Sequence, residues 1–241
     1  MSVEMVFPFL SSAIMLAFVV AVLQRWWVRR HSFLLLWGVG LAMFCVGSLA
    51  EAYFTIATSD LAFRAWYLFG AMLTAGWIGQ GTVYLLARRN IAHVSFAIVL
   101  LLSVLGVYGM IAIPLNAAAM TTQTPLSEQY REVLQQGAWV RLLTPFFNVY
   151  GLVTMVGGAI YSAFLFWRKR SLPQRMWGNV LIASGALVAS LAGTLTRLGS
   201  DNLLYAGEVA SVALMFSGFL LASQRAPQPK AQAVHASGEP S

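Results

Sequence analysis

The chain has 241 residues, of which 59% are hydrophobic and only 10% are charged, and its formal net charge is +7. Soluble domains carry about a quarter charged residues, so this composition excludes an ordinary water-soluble fold and indicates a protein embedded in lipid. The basic residues form short clusters at the ends of apolar runs, which excludes the continuous basic surface of a nucleic-acid-binding protein.

Seven apolar segments follow one another along the chain, each long enough to cross a bilayer. They cover residues 5–24, 33–57, 61–87, 92–113, 140–166, 177–198 and 203–223. The sequence therefore predicts an all-α fold, a polytopic bundle of seven transmembrane helices within residues 1–224. Residues 225–241 have no apolar periodicity, which predicts a disordered cytoplasmic tail.

The distribution of basic residues predicts how the chain crosses the membrane. Lysine and arginine concentrate after the first, third, fifth and seventh segments, as at Arg29 and Arg30, at Arg88 and Arg89, and in the cluster that begins at Arg168. Because cytoplasmic loops are enriched in such residues, we expect a multi-pass protein of the cytoplasmic (bacterial inner) membrane, with its N-terminus outside and its C-terminus inside.

The third segment has one helix face with almost no side-chain bulk. Ala71, Ala75 and Gly79 recur at four-residue spacing, a pattern that lets membrane helices approach closely. We therefore expect this face to pack against protein. The run from Trp66 to Leu86, preceded by Glu51, also resembles uncharacterised seven-helix membrane proteins of bacteria. That resemblance implies the architecture and carries no activity that can be transferred.

The one long connection lies between the fourth and fifth segments and contains a short amphipathic helix. After Pro125, the residues Leu126, Tyr130 and Val133 fall on one helix face. Two interpretations stay open: an interfacial linker on the outer membrane surface, or a lid over an external cavity.

The first three and the last three segments share several residues in the same order. Trp27 corresponds to Trp167, and Tyr67 corresponds to Tyr205. Such matches favour a parallel three-plus-one-plus-three internal repeat, in which the fourth helix is a linker and a shared cavity lies between the repeats. The alternative is that interfacial tryptophans and basic clusters recreate the matches without duplication.

Charged residues inside apolar segments are functional hypotheses because their burial is costly. Glu51 and Glu208 are of this kind, and Arg64 and Arg197 lie at similar or shallower depth. Either the carboxylates form structural pairs with the guanidinium groups, or they line an outward-facing pocket for a proton, a cation or a small amphipathic ligand. Tyr205 flanks Glu208 and is included in that pocket.

Gln80 is the remaining candidate in the apolar segments. Its amide either contacts a substrate or forms a hydrogen bond between helices.

Several functions are excluded by the residues at hand. His31, His93 and His235 all belong to the cytoplasmic side or the tail, so we expect no haem or metal site and no cofactor. No nucleophile–histidine pair is available within the membrane, and we expect no enzyme and no catalytic residue. The favoured function is a small transporter of protons or small solutes. The alternative is a ligand sensor or assembly subunit that signals to a cytoplasmic protein partner.

Overall fold

The computed structural model describes residues 3–135, 137–168, 173–197 and 202–223, and its regular elements are helical. The all-α class is confirmed for this part of the chain, whereas the predicted tail, residues 225–241, lies outside the described residues. In chain order the main helical elements are α1 (Val3–Arg29), α2 (Ser32–Phe54), α3 (Asp60–Ala65), a π-helical segment (Trp66–Leu73), α4 (Thr74–Leu86), α5 (Arg89–Ala112), α6 (Leu126–Val133), α7 (Leu143–Arg168), α8 (Pro173–Arg197) and α9 (Asn202–Ser223). Because α3, the π segment and α4 follow without a break, we call them together the composite helix.

Five helices within the described residues are long and apolar enough to cross a membrane. They are Ser12–Arg29, Ser32–Phe54, Arg89–Ala112, Trp139–Arg168 and Ala206–Ser223. The other two predicted segments are not among these five. The composite helix changes its helical type at Trp66, and in α8 the apolar stretch whose side chains the structure describes is Met176–Ala189. The structure thus supports several spans, and the count of seven stays a prediction.

The small-residue face of the composite helix packs against α7, as the sequence predicts. A β-carbon at Gly79 would lie 2.3 Å from the Thr154 hydroxyl oxygen and 2.8 Å from the Gly151 Cα. A β-carbon at Gly151 would lie 2.3 Å from the Ala75 carbonyl oxygen. Only glycine fits at such distances, and the two backbones approach each other closely because side chains are nearly absent from this seam.

Six of the long elements form a closed ring of contacts. Going round it, α1 contacts α2, α2 contacts the composite helix, and the composite helix contacts α7. The ring continues through α8 and α9, and α9 returns to α1. Helix α5 lies outside this ring against the composite helix, where the Trp77 indole N–H donates to the Ser103 hydroxyl at 3.0 Å. Its outer face exposes apolar side chains such as Leu101 and Ile111.

The two ends of the bundle differ in character. At one end, which we call the basic end, the chain turns from α1 into α2 and from the composite helix into α5, and it carries Arg25, Arg29 and Arg88. Arg25 donates to the Ser223 carbonyl at 2.6 Å, which ties α1 to the last residue of α9. At the other end, which we call the loop end, the connection 113–142 runs across the ring.

The connection 113–142 is packed against the bundle. Leu126, Val133 and Leu134 are at most 2% exposed and belong to the same core cluster as Phe63 of α3. The apolar face of α6 is therefore buried in protein, where an interfacial linker would have turned it to lipid. Of the two interpretations open from the sequence, the arrangement fits a covering element over the loop end.

Candidate functional site

A cavity of about 360 Å³ lies at the loop end and is the main candidate site. Its walls come from α2, the π segment, the start of α7 and α9, and α6 with the chain that follows it forms the cover. Pockets of roughly 300–1,000 Å³ hold small molecules in proteins. The charged and aromatic lining residues of this outer cavity are Phe44, Glu51, Trp66, Tyr67, Tyr130, Arg131, Arg141 and Glu208.

Glu51 is held at the wall of this outer cavity and is only 6% exposed. Helix α2 brings it there because Gly47, one turn earlier, packs on Gly70: a β-carbon at Gly47 would lie 2.5 Å from the Gly70 Cα. The carboxyl group lies within hydrogen-bonding reach of the Trp66 indole and within electrostatic range of the Glu208 carboxyl group. Two acidic side chains from α2 and α9 therefore share one cavity.

The π-helical segment forms the aromatic wall of the outer cavity. Trp66 and Tyr67 lie at its start, and both are less than 9% exposed. At its end, the Thr74 hydroxyl donates to the carbonyl of Phe69, five residues earlier. π-helical turns are rare and occur frequently at functional sites, because the wider turn redirects neighbouring side chains. The sequence pattern gave no signal for this change of helical type.

Two arginines stand at the cavity's outer side, and sequence reasoning missed both as site residues. The Arg131 guanidinium lies 5.8 Å and the Arg141 guanidinium 5.5 Å from the centre of the Tyr130 ring. Arg131 is exposed, whereas Arg141 is half-buried. The available signal was their position on the side that carries most of the acidic residues, Arg131 within the short amphipathic helix and Arg141 at the start of the segment 140–166.

Ser127 is a third residue of the cover that sequence reasoning did not single out. The residue lines the outer cavity, and its hydroxyl oxygen is buried and makes no hydrogen bond within the described part of the chain. Buried polar atoms in proteins almost always have a partner, such as a water molecule or a ligand atom. The hydroxyl group is therefore an unsatisfied donor in the wall of the outer cavity.

The structure does not bring Arg64 to Glu51, so the two side chains do not form the structural pair that the sequence left open. Its guanidinium donates instead to the carbonyls of Met110 and, at 3.0 Å, Ile113 at the end of α5. The last carbonyls of a helix lack partners within the helix, and a cation is favourable there, which explains this position. The side chains of the other two predicted residues, Arg197 and Tyr205, lie outside the described residues.

Gln80 also lies away from the outer cavity. Its amide nitrogen donates to the Ala92 carbonyl at 2.9 Å and to the Ser95 hydroxyl at 3.0 Å. Its amide oxygen accepts from the Tyr150 hydroxyl. The side chain is fully buried and links the composite helix to α5 and α7. Of the two roles open from the sequence, the contacts fit the hydrogen bond between helices.

Two further cavities continue from the outer one towards the basic end. The middle cavity has a volume of about 340 Å³, and Phe44, Gly70 and Glu208 line both it and the outer cavity. The inner cavity is smaller, about 50 Å³. Four apolar residues line both the middle and the inner cavity, namely Leu41, Ile78, Met155 and Met215. The three cavities therefore lie one after another through the ring.

The described residues contain no group of three or more histidine, cysteine or acidic side chains that could hold a metal ion. Comparisons with protein-family models, with curated proteins and with solved structures found no match. In the described residues the protein is all-helical. It has long apolar helices typical of membrane proteins and a cavity lined by charged residues at one end.

Proposed function

We propose that the protein is a seven-span transporter of protons or small solutes in the cytoplasmic membrane, with the loop end outside. The observation that carries the proposal is the series of three adjacent cavities, in which Glu208 lines both the outer and the middle cavity. A transporter needs polar groups beyond its entrance. Asn148 and Ser211 supply them in the middle cavity, and Ser162 and Asn179 supply them in the inner one.

The ring runs in chain order and leaves helix α5 outside, an arrangement that the proposed three-plus-one-plus-three repeat would have. Exchanging α1, α2 and the composite helix for α7, α8 and α9 turns every contact of the ring into another contact of the ring. The contact between the composite helix and α7 becomes the contact between α9 and α1. Helix α5, the linker in this plan, lies outside the ring. Repeat-built transporters hold their solute between the repeats, which is where the cavities lie.

The charge distribution supports the proposed orientation. Arg29, Arg30, Arg88, Arg89 and Arg168 all lie at the basic end, which the positive-inside rule places in the cytoplasm. The outer cavity then faces the outside. The same architecture is the one that the resemblance to uncharacterised bacterial seven-helix proteins implies.

Thiol accessibility tests whether the cavities form a route. In a background with Cys45, the single cysteine, replaced by serine, we would introduce Ser127→Cys, Ser211→Cys and Ser162→Cys in the outer, middle and inner cavities. Ser103→Cys is the matched control, because Ser103 is buried in α5 outside the ring. A membrane-impermeant thiol reagent is added to cells or to inverted vesicles.

A transporter should expose the middle cavity to both sides in turn. We expect the cysteine at position 211 to react from either side, those at 127 and 162 to react from one side each, and the one at 103 from neither. If the cysteine at position 211 reacts no faster than the one at position 103, whichever side the reagent is added to, the cavities do not form a route. Proton or solute flux in proteoliposomes, with Glu208→Gln as the comparison, then measures the activity itself.

One observation favours the sensor as a second candidate. The inner cavity holds only about 50 Å³, much less than the outer one, so a ligand bound at the loop end has no wide exit. A sensor would pass the bound state to a cytoplasmic protein partner at the basic end. Reaction at position 127 from outside, without reaction at 211 from inside, would support this candidate.

A further inference from the structure

We propose that the outer cavity binds a small zwitterion, whose ammonium group lies at Glu51 and Glu208 and whose carboxylate lies at Arg131 and Arg141. This inference rests on the proposed function and names the class of solute for the same site. The same cavity is lined by two acidic and two basic side chains.

The acidic pole is the inner part of the cavity. Glu51 is almost fully buried, and Glu208 lies where the outer cavity continues into the middle one. Two carboxylates close together among apolar helices are strongly unfavourable unless a proton or another cation compensates them. Arg64 does not do so, because its guanidinium is bound to carbonyls of α5. The pole is thus compensated by a proton or by a cation from outside the described residues, and the ammonium group of a ligand is such a cation.

The basic pole is the cover. Arg131 and Arg141 both line the cavity and both lie over the Tyr130 ring. Neither forms an ion pair with Glu51 or Glu208 within 4.0 Å, although all four line the same space. Guanidinium groups bind carboxylates through two parallel hydrogen bonds, and a ligand carboxylate at the entrance would complete their coordination.

Aromatic side chains connect the two poles. The Tyr130 ring lies 6.5 Å from the Trp66 ring and 6.1 Å from the Tyr67 ring, measured between ring centres. Tryptophan and tyrosine faces attract ammonium groups and also contact apolar ligand bodies. The unpartnered Ser127 hydroxyl offers one further donor in this wall. A ligand with only an amine would have no group to bind the two arginines, and a ligand with only a negative charge would be repelled by the two glutamates. The whole lining therefore suits a ligand that carries both charges.

The first test uses the unmodified protein in detergent and measures its melting temperature. The probes are the twenty common α-amino acids, each at millimolar concentration. We expect at least one to raise the melting temperature. Its methyl ester, which lacks the negative charge, and its N-acetyl derivative, which lacks the positive charge, should each bind about tenfold more weakly or worse.

Three outcomes would overturn the inference. These are no stabilisation by any of the zwitterions, a methyl ester that binds as well as the free acid, and an N-acetyl derivative that binds as well as the free amine. Because these comparisons need no variant, they hold even where a substitution prevents folding.

Variants then assign the poles. Arg141→Gln should weaken the free acid about tenfold and leave the methyl ester unchanged, while Glu51→Gln should weaken both. Arg89→Gln, a change of the same kind at the exposed basic end, is the control and should alter neither. Equal weakening of acid and ester by Arg141→Gln would contradict the assignment of the carboxylate to the cover.

Flux separates a failure of this inference from a failure of the proposed function. If proteoliposomes carry protons and no zwitterion binds, the solute class is wrong and transport stands. If a zwitterion binds with the expected dependence and no flux accompanies it, transport is wrong and the binding class stands.

Discussion

The seam between the composite helix and α7 offers a test with an internal control. Gly151 and Gly157 both lie in α7, less than two turns apart. A β-carbon at Gly151 would meet the Ala75 backbone, 2.3 Å from its carbonyl oxygen and 2.4 Å from its carbonyl carbon. A β-carbon at Gly157 would have no neighbour within 4 Å. The same substitution to alanine therefore probes a closed position and an open one.

The two alanine variants should change stability in opposite directions. Alanine in a helix interior is favoured over glycine by roughly 0.5–1 kcal/mol, and Gly157→Ala should gain this amount. Gly151→Ala gains the same term, but the helices must separate by roughly 1 Å to restore ordinary contact, since backbone atoms cannot move aside. Overpacking of this kind costs about 1–3 kcal/mol. Gly151→Ala should thus be less stable than Gly157→Ala by on the order of 2 kcal/mol.

Reversible unfolding in mixed micelles, titrated with a denaturing detergent, measures this difference directly. Both variants keep the same composition and differ only in where the methyl group is placed, so effects of expression and micelle composition cancel. Equal stabilities, or a more stable Gly151→Ala, would refute the close approach of the composite helix to α7.

Three further substitutions have defined outcomes. Arg64→Ala should lower the unfolding free energy by about 1–3 kcal/mol, because the last carbonyls of α5 lose a charged donor. It should leave the stabilisation by ligand unchanged. If the variant instead lost stabilisation by ligand and kept its unfolding free energy, Arg64 would belong to the site. Gln80→Leu should destabilise by about 1–3 kcal/mol in the same unfolding assay, since the Tyr150 hydroxyl and the Ala92 carbonyl lose their shared partner. Gln129→Ala should make the connection 113–142 more sensitive to proteolysis, because this side chain bonds three backbone groups of residues 121 and 124; unchanged cleavage would contradict the idea of a fixed cover.

The helices could be read from the sequence because lipid imposes one requirement on the chain. A segment that crosses a bilayer needs a continuous apolar run, and its backbone must be hydrogen-bonded within itself. The predicted segment 92–113 and the observed helix Arg89–Ala112 differ by one to three residues at each end. The seam was predictable for a similar reason, because a four-residue repeat of small side chains is a local property of the sequence.

The cavity was only partly predictable, because its contents depend on contacts between distant residues. Glu51 and Glu208 stand out as charges in apolar segments, and both line it. Arg141 lies at the very start of the predicted segment 140–166, and its place at the cavity depends on how the long connection folds back over the ring. Gln80 has a clear signal of burial, but its partners on α5 and α7 could not be read from its own helix.

The π segment lies at the boundary between two different contacts of the composite helix with α7. On the loop side, the Thr144 hydroxyl donates to the Tyr67 hydroxyl at 3.1 Å, and the Asn148 amide donates to the Ala71 carbonyl at 3.1 Å. On the basic side, a β-carbon at Gly151 would lie 2.3 Å from the Ala75 carbonyl oxygen, so the two backbones are in close contact. The wider turns of a π-helix redirect neighbouring side chains. The inner half of the composite helix forms the small-residue seam, and the outer half faces the cavity with Trp66 and Tyr67.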